Sequence, residues 1–209
     1  MAQGVVAEAE RLLWEELLWV GRKEDRPAVE LSTIQDDITV VRRGASFLPP
    51  SRLQQGRQWT LARLASLPAA QKLYHPHVQA AAGQGQEQGQ EQEQEGGSSP
   101  GPVRWRERRV RQFVRQIERF LELLCLAVHV TGGQPARGPE LLSVRWRNGV
   151  LQDRNLYVME GQVVVITRYH KLQAQWDQPR VVARFLPDRL GQLLAAYLLY
   201  VRPLQTMLA

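Results

Sequence analysis

A long interruption rich in glycine, glutamine and glutamate limits what this chain can fold into. Residues 80–102 read AAAGQGQEQGQEQEQEGGSSPGP. Such residues bury too little apolar surface to offset the entropy lost when a chain becomes ordered. We therefore predict a disordered linker over residues 80–103. It separates a mainly helical N-terminal region, residues 1–79, from a second region, residues 104–209.

Positive charge is concentrated in the second region. Residues 1–103 hold 10 Lys+Arg and 13 Asp+Glu, whereas residues 104–209 hold 17 and 8, so the net charge of +6 comes from −3 and +9. All the basic residues except Lys23, Lys72 and Lys171 are arginines. A basic, arginine-rich region attracts polyanions, of which nucleic acid is the usual one inside a cell, and the planar arginine side chain suits phosphate oxygens. The composition of the genome accounts for an arginine excess equally well.

The N-terminal region contains two patterns typical of helices. Apolar residues recur at helical spacing from Val5 to Val20, with glutamates on the opposite side. A second helix is predicted from Arg57 to Leu67, where Pro68 follows. Between them the sequence favours extended segments or short helices. No apolar run is long enough to span a membrane, and the N-terminus lacks the pattern of a secretory signal.

Metal, cofactor and disulfide chemistry find little support in the sequence. Cys125 is the only cysteine, which excludes an intrachain disulfide and suits an intracellular compartment; we expect its side chain to be buried. No cysteine–histidine spacing typical of zinc occurs, and no phosphate-binding loop of the ATPase type is present. Neither a metal nor a cofactor is expected.

The second region opens with a long predicted helix, RWRERRVRQFVRQIERFLELLCLAVHV. Its predicted buried stripe comprises Val110, Phe113, Val114, Ile117, Phe120, Leu121, Leu124 and Val128. Off this stripe lie Arg108, Arg111, Arg115 and Arg119. A run of charge is ordinarily only a solvated face. Seven arginines against two acids over residues 104–120 nevertheless favour contact with phosphates.

The rest of the region predicts a turn, a second helix, a small sheet and a closing helix. The second helix is expected from Pro139 to Trp146. Strands are expected at 156–159 and 163–167 with a Glu160–Gly161 hairpin turn, then a third strand in PRVVARFLP. The closing helix is expected to be capped by Asp188. The predicted fold class is therefore mainly α with a small antiparallel sheet (α+β).

The turn TGGQPARGPELLSV and the following hairpin resemble the first half of the catalytic domain of tyrosine recombinases, the phage-integrase class. HVTGGQPARGPELLSVRWRN and VVVITRYHK are also similar to a fungal family of large proteins, often described as telomere-linked or RecQ-like helicases, in which a recombinase-like region precedes a helicase. ERLLWEELLWV and VVRRGASFL resemble the upstream part of that family. The resemblance covers nearly all of the chain except the linker.

The resemblance implies roles for three residues. Arg137 would bind the phosphate under attack, Glu140 would support the turn, and Lys171 would be the hairpin lysine that protonates the leaving oxygen. Each has a simpler alternative. Arg137 would then cap the preceding helix, Glu140 would only favour the start of the next one, and Lys171 would be an ordinary exposed residue. The resemblance and the charge together suggest further DNA contacts at Arg145, Arg168 and Arg180.

The recombinase pattern is incomplete in this sequence. That class needs a His-x-x-Arg segment and a nucleophilic tyrosine after the hairpin, and no His-x-x-Arg follows Arg137. Tyr197 and Tyr200 lie in an apolar helix, where aromatic residues usually belong to the core.

We therefore expect a DNA-binding, catalytically incomplete fragment, located in the nucleus or elsewhere inside the cell. The alternatives are a protein-interaction module, whose basic helix pairs with an acidic partner such as the chain's own first half, and a DNA breaking-rejoining enzyme. The nucleophile of such an enzyme would be Tyr197, Tyr200 or a residue of a partner.

Overall fold

A computed structural model describes residues 2–75, 104–133, 137–169 and 180–208, but not the side chains of Arg168, Tyr169 and Arg180. The predicted disorder of the linker and the predicted role of Lys171 lie outside the described residues. The α-helices are α1 (Ala2–Arg11), α2 (Pro50–Ser66), α3 (Pro68–Gln71), α4 (Glu107–Thr131), α5 (Gly138–Leu142), α6 (Asp188–Ala196) and α7 (Arg202–Leu208). The strands are β1 (Tyr74–His75), β2 (Arg104–Trp105), β3 (Leu156–Met159), β4 (Gln162–Tyr169) and β5 (Arg180–Phe185). Two π-helical turns cover Leu12–Leu17 and Tyr197–Val201, and two short 3₁₀ helices cover Lys23–Asp25 and Leu31–Thr33.

The predicted fold class is confirmed: helices predominate and the sheets are small and antiparallel. The three-stranded sheet has the order β3-β4-β5, and β1 pairs with β2 in a short ladder that the sequence did not predict. Glu160 and Gly161 connect β3 to β4 and have φ angles of 50° and 77°. Two consecutive left-handed residues match the twist of a two-residue hairpin. The predicted hairpin turn is therefore confirmed.

One hydrophobic core includes residues from both sides of the linker. Helix α1 packs along α4, and the Trp19 and Phe113 rings stack with centroids 5.7 Å apart. The Phe120 ring of α4 meets Tyr197 at 5.5 Å. The described residues before the linker and those after it therefore bury their apolar faces against each other.

The buried stripe of α4 is close to the predicted one but is rotated around the helix. Phe113, Ile117, Phe120 and Leu124 are buried as expected. Leu123 and Ala127 are buried too, while the rest of the predicted stripe (Val110, Val114, Leu121 and Val128) is half-buried. The predicted stripe assumed one neighbouring helix. Because α1 and α6 both pack against α4, the buried side of α4 also includes Leu123 and Ala127.

Several local expectations were wrong, and the first concerns α2, which begins at Pro50 rather than at Arg57. Helix α5 ends at Leu142 rather than near Trp146, because the backbone N–H of Arg145 donates to the Asn155 side chain instead of continuing the helix. Asp188 is the first residue of α6, with Pro187 in the cap position, and its carboxylate accepts a hydrogen bond from Gln162. Cys125 is exposed, since it faces away from the side of α4 that α1 and α6 cover.

Candidate nucleic-acid interface

The exposed side of α4 carries four arginines at helical spacing, Arg108, Arg111, Arg115 and Arg119, here called the arginine face. Residues three or four apart are neighbours on a helix surface. Glu107 pairs with Arg111 at 3.3 Å and Glu122 pairs with Arg119 at 3.0 Å. Among the described residues no carboxylate pairs with Arg108 or Arg115. The arginine face therefore keeps a net positive charge.

Acidic side chains of the N-terminal region border the arginine face. The pKa of Glu8 is lowered, mainly by hydrogen bonds from Arg11 and to a smaller extent by the charge of Arg119. Gln116 donates a hydrogen bond to the Glu16 carboxylate at 3.2 Å. The basic helix thus lies beside acidic groups of the chain's own first half, which form a negative border along one edge of the face.

The turn that contains Arg137 begins where α4 ends. The N–H of Gly132 donates to the carbonyl of Val128, and Gly133 has a φ of +83°. A Cβ at Gly132 would lie 2.7 Å from that carbonyl oxygen and 3.4 Å from the Cδ of Arg184. Only glycine fits so close an approach. The first glycine of the turn therefore allows the end of α4 to lie against β5.

Arg137 lies immediately before α5, and its side chain is exposed. Its backbone is extended, with φ −74° and ψ 153°, and its carbonyl accepts the N–H of Leu141. This position presents the guanidinium at the surface beside the N-terminus of a short helix.

Glu140 joins α5 to the sheet. Its carboxylate, 12% exposed, pairs with Arg184 of β5 at 3.4 Å and accepts a hydrogen bond from the Thr167 hydroxyl of β4 at 3.3 Å. Arg184, 5% exposed, donates to the same hydroxyl at 2.6 Å. The glutamate expected to support the turn therefore holds α5 against both strands.

Sequence reasoning missed Arg184. Its only signal is its place in RVVARFLP, at an inward position of β5 between Val182 and Leu186. Arginine at an inward strand position requires a buried acceptor, yet the sequence does not say which acid supplies it.

The remaining predicted contacts are distributed over other elements. Arg145 is exposed after α5, and its Nε donates to Gln152 Oε1 at 2.8 Å. The backbones of Arg168 and Arg180 lie at the same end of the β4–β5 ladder. Lys171 lies outside the described residues. The structure therefore does not show Arg145, Arg168, Arg180 and Lys171 together at one site.

Both tyrosines considered as nucleophiles belong to the core. The Tyr197 hydroxyl donates to Gln205 Oε1 at 2.8 Å, and the Tyr200 ring packs against Trp59 at 4.9 Å. Burial raises the pKa of each phenol. A buried phenol with a raised pKa is poorly suited to attack a phosphate of a bulky duplex.

Candidate metal-ligand groups and candidate membrane-spanning helices are both absent from the part of the chain that the structure describes. Its His, Cys, Asp and Glu side chains form no group of three or more able to hold a metal ion. None of its helices combines the length and the apolar character needed to cross a bilayer. Comparison with protein-family models and with solved structures finds no match for this chain.

Proposed function

We propose that this chain binds duplex DNA through the phosphate backbone, with the arginine face as its main contact surface. The observation that supports this proposal best is the net charge of that face, where Arg108 and Arg115 have no carboxylate partner among the described residues. From Arg108 to Arg119 the helix rises about 16 Å, enough to meet several phosphates along a groove.

The resemblance to tyrosine recombinases supports a wider proposal for the setting of this activity. In the proposal, the exposed Arg137 before α5 adds a further phosphate contact, because a guanidinium donates charge-assisted hydrogen bonds to phosphate oxygens. The chain would then be a DNA-binding part of a recombinase- or helicase-type protein of a mobile element or telomere-proximal DNA. It would act in the nucleus or another DNA-containing compartment.

The proposed activity is binding without strand cleavage. Tyr197 and Tyr200 are buried against Gln205 and Trp59, and neither phenol is placed to meet a duplex. The sequence lacks the second arginine motif after Arg137. Phosphate contacts alone also predict weak dependence on DNA sequence, since base edges carry the sequence information.

Fluorescence anisotropy of a dye-labelled duplex tests the proposal. The affinity should fall steeply and linearly with salt on logarithmic axes, because each phosphate contact releases counterions. The double variant Arg108→Glu/Arg115→Glu should bind at least about tenfold more weakly, with a salt slope smaller by about two. The matched control, Arg22→Glu/Arg57→Glu, changes the charge equally at exposed positions elsewhere and should bind like the wild type. Absence of binding at low salt, or equal losses in both variants, would exclude the arginine face as a DNA site.

A further inference from the structure

Exposed apolar side chains are concentrated on two loops, residues 38–45 and 142–155. Ten large apolar residues of the described chain are 38% exposed or more, and these loops hold six of them, Ile38, Val40, Val41, Leu142, Val150 and Leu151. The Leu151 side chain is 93% exposed and that of Leu142 is 89% exposed. Isolated exposed apolar residues are ordinary, but a group of them indicates a contact surface. We call these two loops together the loop surface.

Asn148 fastens the two loops together. Its buried amide donates to the carbonyls of Val40 at 2.8 Å and Arg42 at 3.1 Å. Its backbone N–H donates to Ala45, and its carbonyl accepts the N–H of Gly44. The two loops are therefore joined at Asn148, which binds residues 40–45 of the first loop at four points.

A buried ion pair connects the second loop to the segment just before the first loop. Arg154 pairs with Asp36 at 2.7 Å, with side chains 1% and 4% exposed. Arg154 also donates to the carbonyl of Asp37, and its N–H donates to the Asn148 side chain. The loops are thus ordered before any partner arrives, which lowers the entropy cost of binding.

A cleft lies beside the loop surface, on the outer face of the sheet. Its volume is about 340 Å³, with Tyr157 and Ile166 from β3 and β4 among its lining residues. Ser143, Gln152 and Asn155 add polar groups, and Leu151, Asp153 and Arg154 complete the lining. A concave site of this size suits a large apolar side chain, the usual anchor of a protein interface.

The charge of the loop surface is positive. Its exposed charged residues are four arginines and one aspartate, namely Arg42, Arg43, Arg145, Arg147 and Asp153, and the exposed Asp37 lies just before the first loop. The Asp37 carboxylate already accepts hydrogen bonds from the N–H and hydroxyl of Thr39. Arginine at the rim of an apolar patch is complementary to an acidic partner.

We propose that the loop surface docks a protein segment that has one large apolar anchor flanked by aspartate or glutamate. The anchor enters the cleft beside Leu151, and the acidic residues pair with the rim arginines. Duplex DNA suits this surface less well, because the exposed apolar side chains find little to contact on a phosphate backbone. A lipid bilayer suits this surface less well too, because a flat bilayer would not fill the cleft. The loop surface and the arginine face lie on different elements, so this proposal and DNA binding can fail independently.

Selection from a displayed library of random twelve-residue peptides tests the proposal on the full chain. Peptides that bind the Leu151→Asp variant are removed first, and those that then bind the wild type are kept. The Leu151 side chain is 93% exposed, so this substitution leaves the core intact. The enriched peptides should share a leucine, phenylalanine or tryptophan between acidic residues. A synthetic peptide of that type should bind Leu151→Asp and Arg43→Glu/Arg147→Glu at least about tenfold more weakly than the wild type. Leu126→Asp, a control at an exposed apolar residue of α4 outside both loops and outside the sheet, should bind it normally.

Four results would overturn the proposal. The first is no enrichment on the wild type over Leu151→Asp, and the second is enrichment of peptides that lack acidic residues. The third is displacement of the peptide by duplex DNA in the Arg108→Glu/Arg115→Glu background, which would assign the surface to nucleic acid. The fourth is Leu151-dependent binding to vesicles of phosphatidylserine and phosphatidylcholine, which would assign it to lipid. Circular dichroism of each variant confirms that the fold is retained.

Discussion

The carboxylate of Glu140 is held by side chains from two different strands, Thr167 of β4 and Arg184 of β5. Arg184 is almost fully buried, and a buried guanidinium is costly unless opposite charge or strong acceptors surround it. The short helix after the arginine turn has only five residues and buries none of them. Its position therefore depends on this polar contact more than on apolar packing.

Glu140→Ala should lower the free energy of unfolding by about 3 kcal/mol, because it removes a carboxylate that pairs with the buried charge of Arg184. Thermal unfolding followed by circular dichroism measures the change. Glu118→Ala, at an exposed position of α4, is the control and should change stability by less than about 0.5 kcal/mol. Equal melting temperatures for the two variants would show that Arg184 does not depend on Glu140.

At the scale of elements, α2 approaches the π-helical turn Tyr197–Val201 unusually closely. A Cβ at Gly56 would lie 2.4 Å from the carbonyl oxygen of Leu199. The Thr60 hydroxyl lies 2.7 Å from the carbonyl oxygen of Tyr200 and donates to it. A π-helical turn changes the local hydrogen-bond pattern, and α2 supplies a donor at that point. The small residue and the hydroxyl are four positions apart, so they share one face of α2.

Gly56→Ala should destabilise the protein by about 1–3 kcal/mol, since the added methyl group overlaps backbone that cannot move aside cheaply. Denaturant unfolding measures the change. Gly4→Ala in α1 has open space around the new methyl group and should be neutral or stabilising by up to about 1 kcal/mol, as expected for alanine in a helix. A neutral Gly56→Ala would mean that α2 and the turn lie farther apart.

At the scale of the whole molecule, Glu10 connects parts of the chain that are distant in sequence. Its carboxylate, 18% exposed, accepts hydrogen bonds from Arg26 at 2.5 Å and from the Nε of Arg189 at 2.6 Å. Arg26 also lies over the Trp14 ring. Partial burial raises the pKa of Glu10, but the hydrogen bonds and charges of the two arginines outweigh it and the pKa is lowered.

A lowered pKa in the folded state means that Glu10 stabilises the protein above the ordinary glutamate pKa, about 4.3. That contribution is lost as the pH falls through the folded-state pKa. Glu10→Gln should therefore melt below the wild type at neutral pH, and the difference should narrow as the pH falls below about 4. Melting temperatures of both proteins from pH 7 to pH 3 measure this. A difference that stays constant with pH would contradict the role of the Glu10 charge.

The sequence by itself determined the local elements of this protein. Helical periodicity predicted α4, and the Glu160–Gly161 turn predicted the β3–β4 hairpin, because both signals arise between residues close together in the chain. Helix ends were less accurate, as at Leu142, because a side chain from another segment ended the helix. Of the candidate site, the exposed arginines of α4 were predicted for the same local reason.

Only the tertiary structure decided which distant groups meet. Asn148 binds a carbonyl 108 positions away, and Arg154 pairs with an aspartate 118 positions away. Glu140 finds its counter-charge on β5, and α1 covers one side of α4. Such contacts leave no periodic pattern in the sequence, since they depend on how whole elements pack once the apolar faces have been buried. The physical reason is that burial of a polar group requires a partner, and only packing selects which one.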